Sequence, residues 1–369
     1  FLKKLKELLS DTLIYGISSV LARFINYLLV PFYTKVFDPA QYGVVGLVYS
    51  AITFLYVIFT FGMESAYLRY AKNREQARDV FKTLQSGLLV AASVLALLLW
   101  MLAPAVMPLM SLGPETKDFY LLMIGILWFD ALSIIPFAEL RLVRKSLLYA
   151  LIRTGNVGIN LALNFYLILS LGWGIEAVFM ANLLASGFTT ILLWILTARL
   201  LTGSWKRTLF ERGLRFGLPF IPAGLGHAIN ETLDRFLLNN YLSQDTIDMI
   251  YSTDTTPEDI VGIYNACYKL SVFMLLFVQM FRMAWQPFFL RHADESGARR
   301  LYGDVFRYFN MAAGVIFLGV ALFIDQIVQI RIPVLDAFLI DPDYWSGLQI
   351  VPVLLGAYWF QGWYMNFSA

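Results

Sequence analysis

TLQSGLLVAASVLALLLWMLAPAVM, residues Thr83 to Met107, contains no Asp, Glu, Lys or Arg. At about 1.5 Å of rise per residue a helix of this length spans the roughly 30 Å hydrocarbon layer of a bilayer. The apolar residues run on without alternating at period two, which reads as a membrane helix and not as a strand of a barrel. Working outward from it, nine further stretches have the same character: 12–36, 43–68, 118–140, 147–171, 174–198, 213–241, 261–289, 306–330 and 348–369.

Composition leads to the same fold class. Of the 369 residues 59% are apolar and only 15% charged, against about 25% charged in an ordinary soluble domain. Mean hydropathy is +0.65. The net charge of +2 gives no electrostatic basis for nucleic-acid binding. One cysteine, Cys267, excludes an intrachain disulfide or a Cys-based metal cluster, and His227 and His292 lie too far apart for ligand spacing, so no metal site is expected. The glycosylation-like triplets at Asn230 and Asn366 fall inside apolar spans and carry no weight. Phe1-Leu2-Lys3-Lys4-Leu5-Lys6 is too charged for a signal core and reads as a short helix on the membrane surface.

The basic residues orient the chain. With the N-terminus cytoplasmic, the inner segments hold Lys3, Lys4 and Lys6, then Arg69 to Lys82, Arg141 to Arg153, Arg199 to Arg215 and Arg291 to Arg307. The outer segments hold only Lys35, Lys117 and Arg331, and the 242–260 loop has acids but no Lys or Arg. This asymmetry predicts a multi-pass protein of the cytoplasmic (inner) membrane with a cytoplasmic N-terminus. The last span reaches Ala369 with no flanking charge, so further helices are expected beyond it.

The chain also echoes itself. Tyr15-Gly16 returns as Phe216-Gly217, and Tyr42-Gly43 returns as Val261-Gly262, each second span closing on a basic residue, Arg69 or Arg291. An even number of spans separates the copies. The repeat is therefore parallel, about an axis along the membrane normal, which is one of the transporter plans.

Tyr15-Gly16, Pro31-Phe32-Tyr33-Thr34, Gln41-Tyr42-Gly43, Phe61-Gly62-Met63-Glu64 and Arg69-Tyr70 occur in that order. Gly217-Leu218-Pro219-Phe220-Ile221-Pro222, Asp234-Arg235 and Met283-Ala284-Trp285-Gln286-Pro287-Phe288 follow. In order and spacing this set resembles the oligosaccharide flippases (Wzx-like polysaccharide biosynthesis transporters) of the multidrug/oligosaccharidyl-lipid/polysaccharide (MOP) exporter superfamily. The resemblance implies an all-α, MATE-like fold of two pseudo-symmetric six-helix lobes around a central cavity. The first lobe would take residues 1–200 with six membrane helices, and the second 201–369 with four visible and the remainder missing.

Charges deep in a bilayer cost several kcal/mol unless they pair or face water, so they are candidate site residues. Gly16, Ser19, Arg23 and Asn26 share one face of the first span, with Arg23 near the midplane, where it either locks helices through a carboxylate or faces a cavity. Gln279, Arg282 and Gln286 share a face of the eighth span, with Lys269 nearer its outer end. Arg153, Asn156, Asn160 and Asn164 form a stripe that serves either as helix glue or as substrate contacts. His227, Asn230 and Asp234 align in the seventh span, and the Asp234–Arg235 pair is either a structural ion pair or a site.

Arg23, Asn26, Lys269, Gln279, Arg282, Asn156 and Asn160 are the candidates for a diphosphate and its sugars. Glu64, Asp130, Asp234, Arg235 and Asp325 are the candidates for ion coupling or gating.

The expected activity is translocation of a polyprenyl-diphosphate-linked oligosaccharide from the inner to the outer leaflet by alternating access. Arginine suits the bidentate phosphate contacts this requires. The expected partners are that lipid, the bilayer and other polysaccharide-assembly membrane proteins, with no cofactor beyond a coupling Na+ or H+. The alternative is a multidrug or cation exporter of the same fold, which deep bases disfavour. A glycosyltransferase, polymerase or ligase would need a catalytic carboxylate or His cluster, usually with a large outer loop, so no enzymatic role is expected.

Overall fold

A computed structural model describes residues 27, 29–71, 76–251, 254–292 and 297–367. Helices follow one another in the order α1 (Leu29–Val36), α2 (Pro39–Thr60), α3 (Met63–Tyr70), α4 (Ala77–Met101), α5 (Ala103–Leu109), α6 (Lys117–Leu142), α7 (Ser146–Phe165) and α8 (Glu176–Thr197). They continue as α9 (Arg207–Gly217), α10 (Phe220–Tyr241), α11 (Gln244–Ile250), α12 (Pro257–Leu270), α13 (Val272–His292), α14 (Ala298–Leu322), α15 (Ile324–Val328) and α16 (Val351–Phe367). One two-stranded antiparallel hairpin, β1 (Arg331–Ile332) and β2 (Ala337–Phe338), interrupts them. In lipid every backbone group must be satisfied within the segment, and helices are what such apolar runs form.

Among the described residues five helices are long and apolar enough to cross a membrane, or six if the bent pair α12 and α13 is one span. α7, α10 and α16 stand at three more of the expected spans, while most of the first, 12–36, lies outside the described residues. α7 and α10 carry the polar stripes and α16 is short.

α4 shows how the apolar surface is used. Val90, Val94, Leu97, Leu98 and Met101 are exposed along one face, while Leu84, Leu88, Ala92 and Leu99 are buried on another. An exposed apolar stripe of this extent on an isolated monomer marks a surface made for lipid.

The chain forms two compact units. In the unit built from residues 44–257, α6 packs along α8 and α4, and α3 lies against α6 and α9. Its core gathers Met63, Tyr67, Phe81, Leu84, Leu88, Leu132 and Ile135. The buried Tyr67 hydroxyl donates to the buried Glu139 carboxylate at 2.7 Å.

The span begun by α2 breaks before α3, where Phe61 and Gly62 have positive φ of 49° and 63°. The Gly217 backbone fills the space a Cβ on Gly62 would need.

The other unit holds residues 27–43 with 258–369. Here α2 begins beside α12 at a crossing where two glycines meet. A Cβ on Gly43 would lie 3.1 Å from the Gly262 amide nitrogen, and one on Gly262 would lie 2.9 Å from the Gly43 nitrogen. Each would also overlap a carbonyl, that of Glu258 for Gly43 and that of Pro39 for Gly262.

Tyr344, fully buried, donates to the Phe37 carbonyl at 2.7 Å and meets Tyr42 edge-on at 5.9 Å. Burial holds its phenol above the usual range. Lys35 closes the turn of the hairpin, donating to the carbonyls of Leu335 and Asp336 at 2.9 and 2.8 Å.

Candidate functional site

The densest polar constellation inside the described helices lies within the 44–257 unit, around Asp130 half-way along α6. Ser186 of α8 and Arg153 of α7 are the side chains whose polar groups act on the Asp130 carboxylate. Ser186 also donates to Asn182 Oδ1 at 3.4 Å, and Asn182 Nδ2 donates to the Tyr49 hydroxyl at 3.1 Å. One turn past Arg153, Asn156 donates to Thr189 Oγ1 at 2.9 Å. Helices α2, α6, α7 and α8 thus each contribute.

The placement follows from helical periodicity. Asn182, Ser186 and Thr189 recur at four- and three-residue intervals and so share a face of α8. Arg153, Asn156 and Asn160 do the same on α7. The two stripes face one another, which satisfies polar groups that hydrocarbon would leave unpaired. A carboxylate beside a hydroxyl and a guanidinium, in a cluster that includes the Tyr49 phenol, can exchange a proton or hold a small cation.

Of the residues expected from the sequence, Asp130 and Asn156 therefore come together, with Arg153 as the link. Asn160 lies a turn further on and accepts from Asn164 Nδ2 at 2.8 Å.

Glu64 is elsewhere, in an ion pair with Arg141 that ties α3 to α6. Arg235 Nη1 reaches Asp234 Oδ1 at 2.8 Å and also the Glu231 carbonyl, both on α10. Asp325 is exposed in the short α15, outside the long α14. In the second unit Arg282 is exposed and Gln279, three residues before it, half-buried on α13. Lys269 sits at the end of α12 with its ammonium 6.0 Å from the Tyr27 ring centroid. Arg23 and Asn26 lie outside the described residues.

Tyr49, Asn182, Ser186 and Thr189 are the members that the sequence reading passed over. Their signal was present, a polar stripe in α8 complementary to the one in α7, but each residue alone is unremarkable in a membrane helix. Among the described residues no group of His, Cys, Asp and Glu gathers as a metal site.

The family described as "Polysaccharide biosynthesis protein" matches residues 8–292. No curated protein matches the chain. Among solved structures, an inward-facing multidrug resistance MATE family transporter of the MOP superfamily is similar with a TM-score of 0.65 at 17% identity, over 95% of this chain and 81% of that one. The eukaryotic MATE transporter AtDTX14 is similar with a TM-score of 0.57 at 15% identity, over 99% and 81%. A Vibrio cholerae MATE transporter gives 0.51 at 15%, over 97% and 80%. With its family matched over most of its length and its helices arranged as in these transporters, the chain belongs to the polysaccharide biosynthesis protein family and has the polytopic, MATE-like membrane fold of the MOP superfamily.

Proposed function

We propose that this MOP-type transporter is a flippase, moving a polyprenyl-diphosphate-linked oligosaccharide from the inner to the outer leaflet of the cytoplasmic membrane. The observation that carries the reading is the family match over residues 8–292 on a chain that folds as a MOP-superfamily transporter. The chemistry agrees. A diphosphate entering a low-dielectric passage needs cationic donors, and Arg282 of α13 and Lys269 of α12, with Arg23 of the first expected span, are candidates for them. In this reading the lobes are residues 1–200 and 201–369, rocking against each other with the N-terminus cytoplasmic, while the prenyl chain stays in lipid. Asn156 and Asn160 contact sugar, and Asp130 with Ser186 and Asn182 couples the cycle to H+ or Na+.

The test is native mass spectrometry of the full-length protein with an undecaprenyl-diphosphate oligosaccharide, with tetraphenylphosphonium as competitor. Wild type is compared with Arg282→Ala and Arg23→Ala. Binding of the glycolipid that weakens in either variant and ignores the cation supports the flippase. Binding of the cation without the glycolipid replaces it with a cation exporter.

A further inference from the structure

The eighth span is discontinuous. α12 ends at Leu270, α13 begins at Val272, and their axes differ by 45°. Ser271 bridges the break, its hydroxyl donating to the Tyr268 carbonyl at 2.6 Å. The break lies deep in the layer. Lys269 is about 14 Å along the helix from Ile260, the first apolar residue of the span, close to the middle of a ~30 Å core.

A row of phenols is arranged at this break. Tyr264 and Tyr268 follow one another along one face of α12, with ring centroids 6.0 Å apart and planes tilted by 41°. Tyr268 meets Tyr358 of α16 at 6.1 Å and 66°, and their hydroxyls are in contact. Tyr27 lies under the Lys269 ammonium at 6.0 Å. Tyr27, Tyr264, Tyr268 and Lys269 all keep part of their surface exposed, whereas Tyr358 is buried.

Tyrosines in membrane proteins concentrate at the headgroup level, where the ring is in lipid and the hydroxyl in water. Here the row runs inward from Tyr264, about 6 Å from the outer edge, to Tyr268 and Lys269 near mid-depth, and phenol hydroxyls and an ammonium carried that far inward suit a passage that admits polar groups. The phenol faces offer flat surface to the C–H face of a pyranose, and their hydroxyls offer donors and acceptors to its ring substituents. The ammonium is a point charge suited to phosphate and sits in the last turn of α12, where the helix end favours a cation.

We propose that Tyr264 and Tyr268, with Lys269 beside them, form the subsite that reads the sugar nearest the diphosphate of the transported lipid. Tyr358 holds Tyr268 in place. This rests on the flippase reading and adds to it a named carbohydrate platform at the break of the eighth span.

The experiment measures Kd of the full-length protein in nanodiscs for undecaprenyl diphosphate and for the same lipid carrying N-acetylglucosamine. Wild type is expected to prefer the glycosylated lipid by about fivefold, the size of one aromatic contact. Tyr264→Leu brings the ratio close to one. Tyr264→Phe, which keeps the ring and loses the hydroxyl, falls between, and Tyr268→Phe serves where the leucine variant fails to fold. Lys269→Ala weakens both lipids alike.

A wild type that binds both lipids equally, or a Tyr264→Leu ratio equal to that of wild type, overturns the subsite and leaves the flippase standing. A wild type that binds neither lipid removes the flippase reading and the subsite together. A loss in Lys269→Ala confined to the glycosylated lipid contradicts the placement of the ammonium at the diphosphate.

Discussion

Gly43 and Gly262 occupy equivalent positions of the internal repeat and meet each other at a helix crossing. The carbonyl that would strike a Cβ on Gly43 belongs to Glu258, and the one that would strike a Cβ on Gly262 belongs to Pro39. Each carbonyl lies four residues before the glycine it faces the partner of, so the two segments exchange contacts symmetrically. A local two-fold between Pro39–Gly43 and Glu258–Gly262 is the geometric form of a parallel repeat.

Such a crossing tolerates no side chain on either helix. Gly43→Ala and Gly262→Ala are each expected to destabilise the protein by about 1–3 kcal/mol, because the obstacle is backbone that cannot rotate away. Thermal unfolding in detergent would read this as a lowered Tm. The double variant should lose less than the sum, since one separation of the helices relieves both clashes. Single variants melting at the wild-type temperature would contradict the packing.

The contact was legible in the sequence as the glycines paired by the echo, because neither position leaves room for a side chain. The helical fold was legible for the same reason of scale: uncharged runs such as Thr83 to Met107 have one stable form in lipid. Other features were not. The break at Ser271 has no proline or glycine to announce it, and Leu270-Ser271-Val272 reads as uninterrupted helix. The hairpin at Arg331–Phe338 has its turn at Asp336, with φ of 45°, in the outer segment between the expected spans 306–330 and 348–369, where no strand was expected. Asp130 was one of several acids within or at the ends of expected spans, and Ser186 and Asn182 join it only through the pairing of α6 with α8.

Tyr67 and Glu139 illustrate a contact that no local pattern contains, since 72 residues separate them. Glu139 is buried, and removing a donor from a buried carboxylate costs about 1–3 kcal/mol. Tyr67→Phe keeps the ring against Phe81 and deletes only the hydroxyl. It should lower Tm without altering the helix content seen by circular dichroism. An unchanged melting temperature would show that the hydroxyl contributes nothing to the unit.

Lys35 holds the hairpin turn through two carbonyls and lies 3.9 Å from the Asp336 carboxylate. Both side chains are exposed, so the ion pair itself adds little. Lys35→Met should leave global stability within about 0.5 kcal/mol, as for most surface changes. It should however speed proteolytic nicking at 331–338, because the turn loses its anchor. Equal nicking in both proteins would show that the β1–β2 ladder suffices.

Asp130 tests the coupling role most directly. Its carboxylate lies beside Ser186 within a polar cluster, away from the ion pairs of Glu64 and Asp234. Asp130→Asn preserves size and hydrogen-bonding capacity while removing the charge that a proton or Na+ would neutralise. In proteoliposomes with an imposed pH or Na+ gradient, flipping of the glycolipid by wild type should exceed its rate without a gradient. The Asp130→Asn rate should lose that stimulation by about tenfold, the scale of one deep charge interaction. Glu115→Gln, at an exposed turn outside the long helices, is the control for charge removal as such. Full gradient-driven transport by Asp130→Asn would remove Asp130 from the coupling mechanism, because a neutral amide cannot change its charge with either ion. Loss of stimulation in Asp130→Asn, with Glu115→Gln behaving as wild type, would place the coupling ion among α6, α7 and α8.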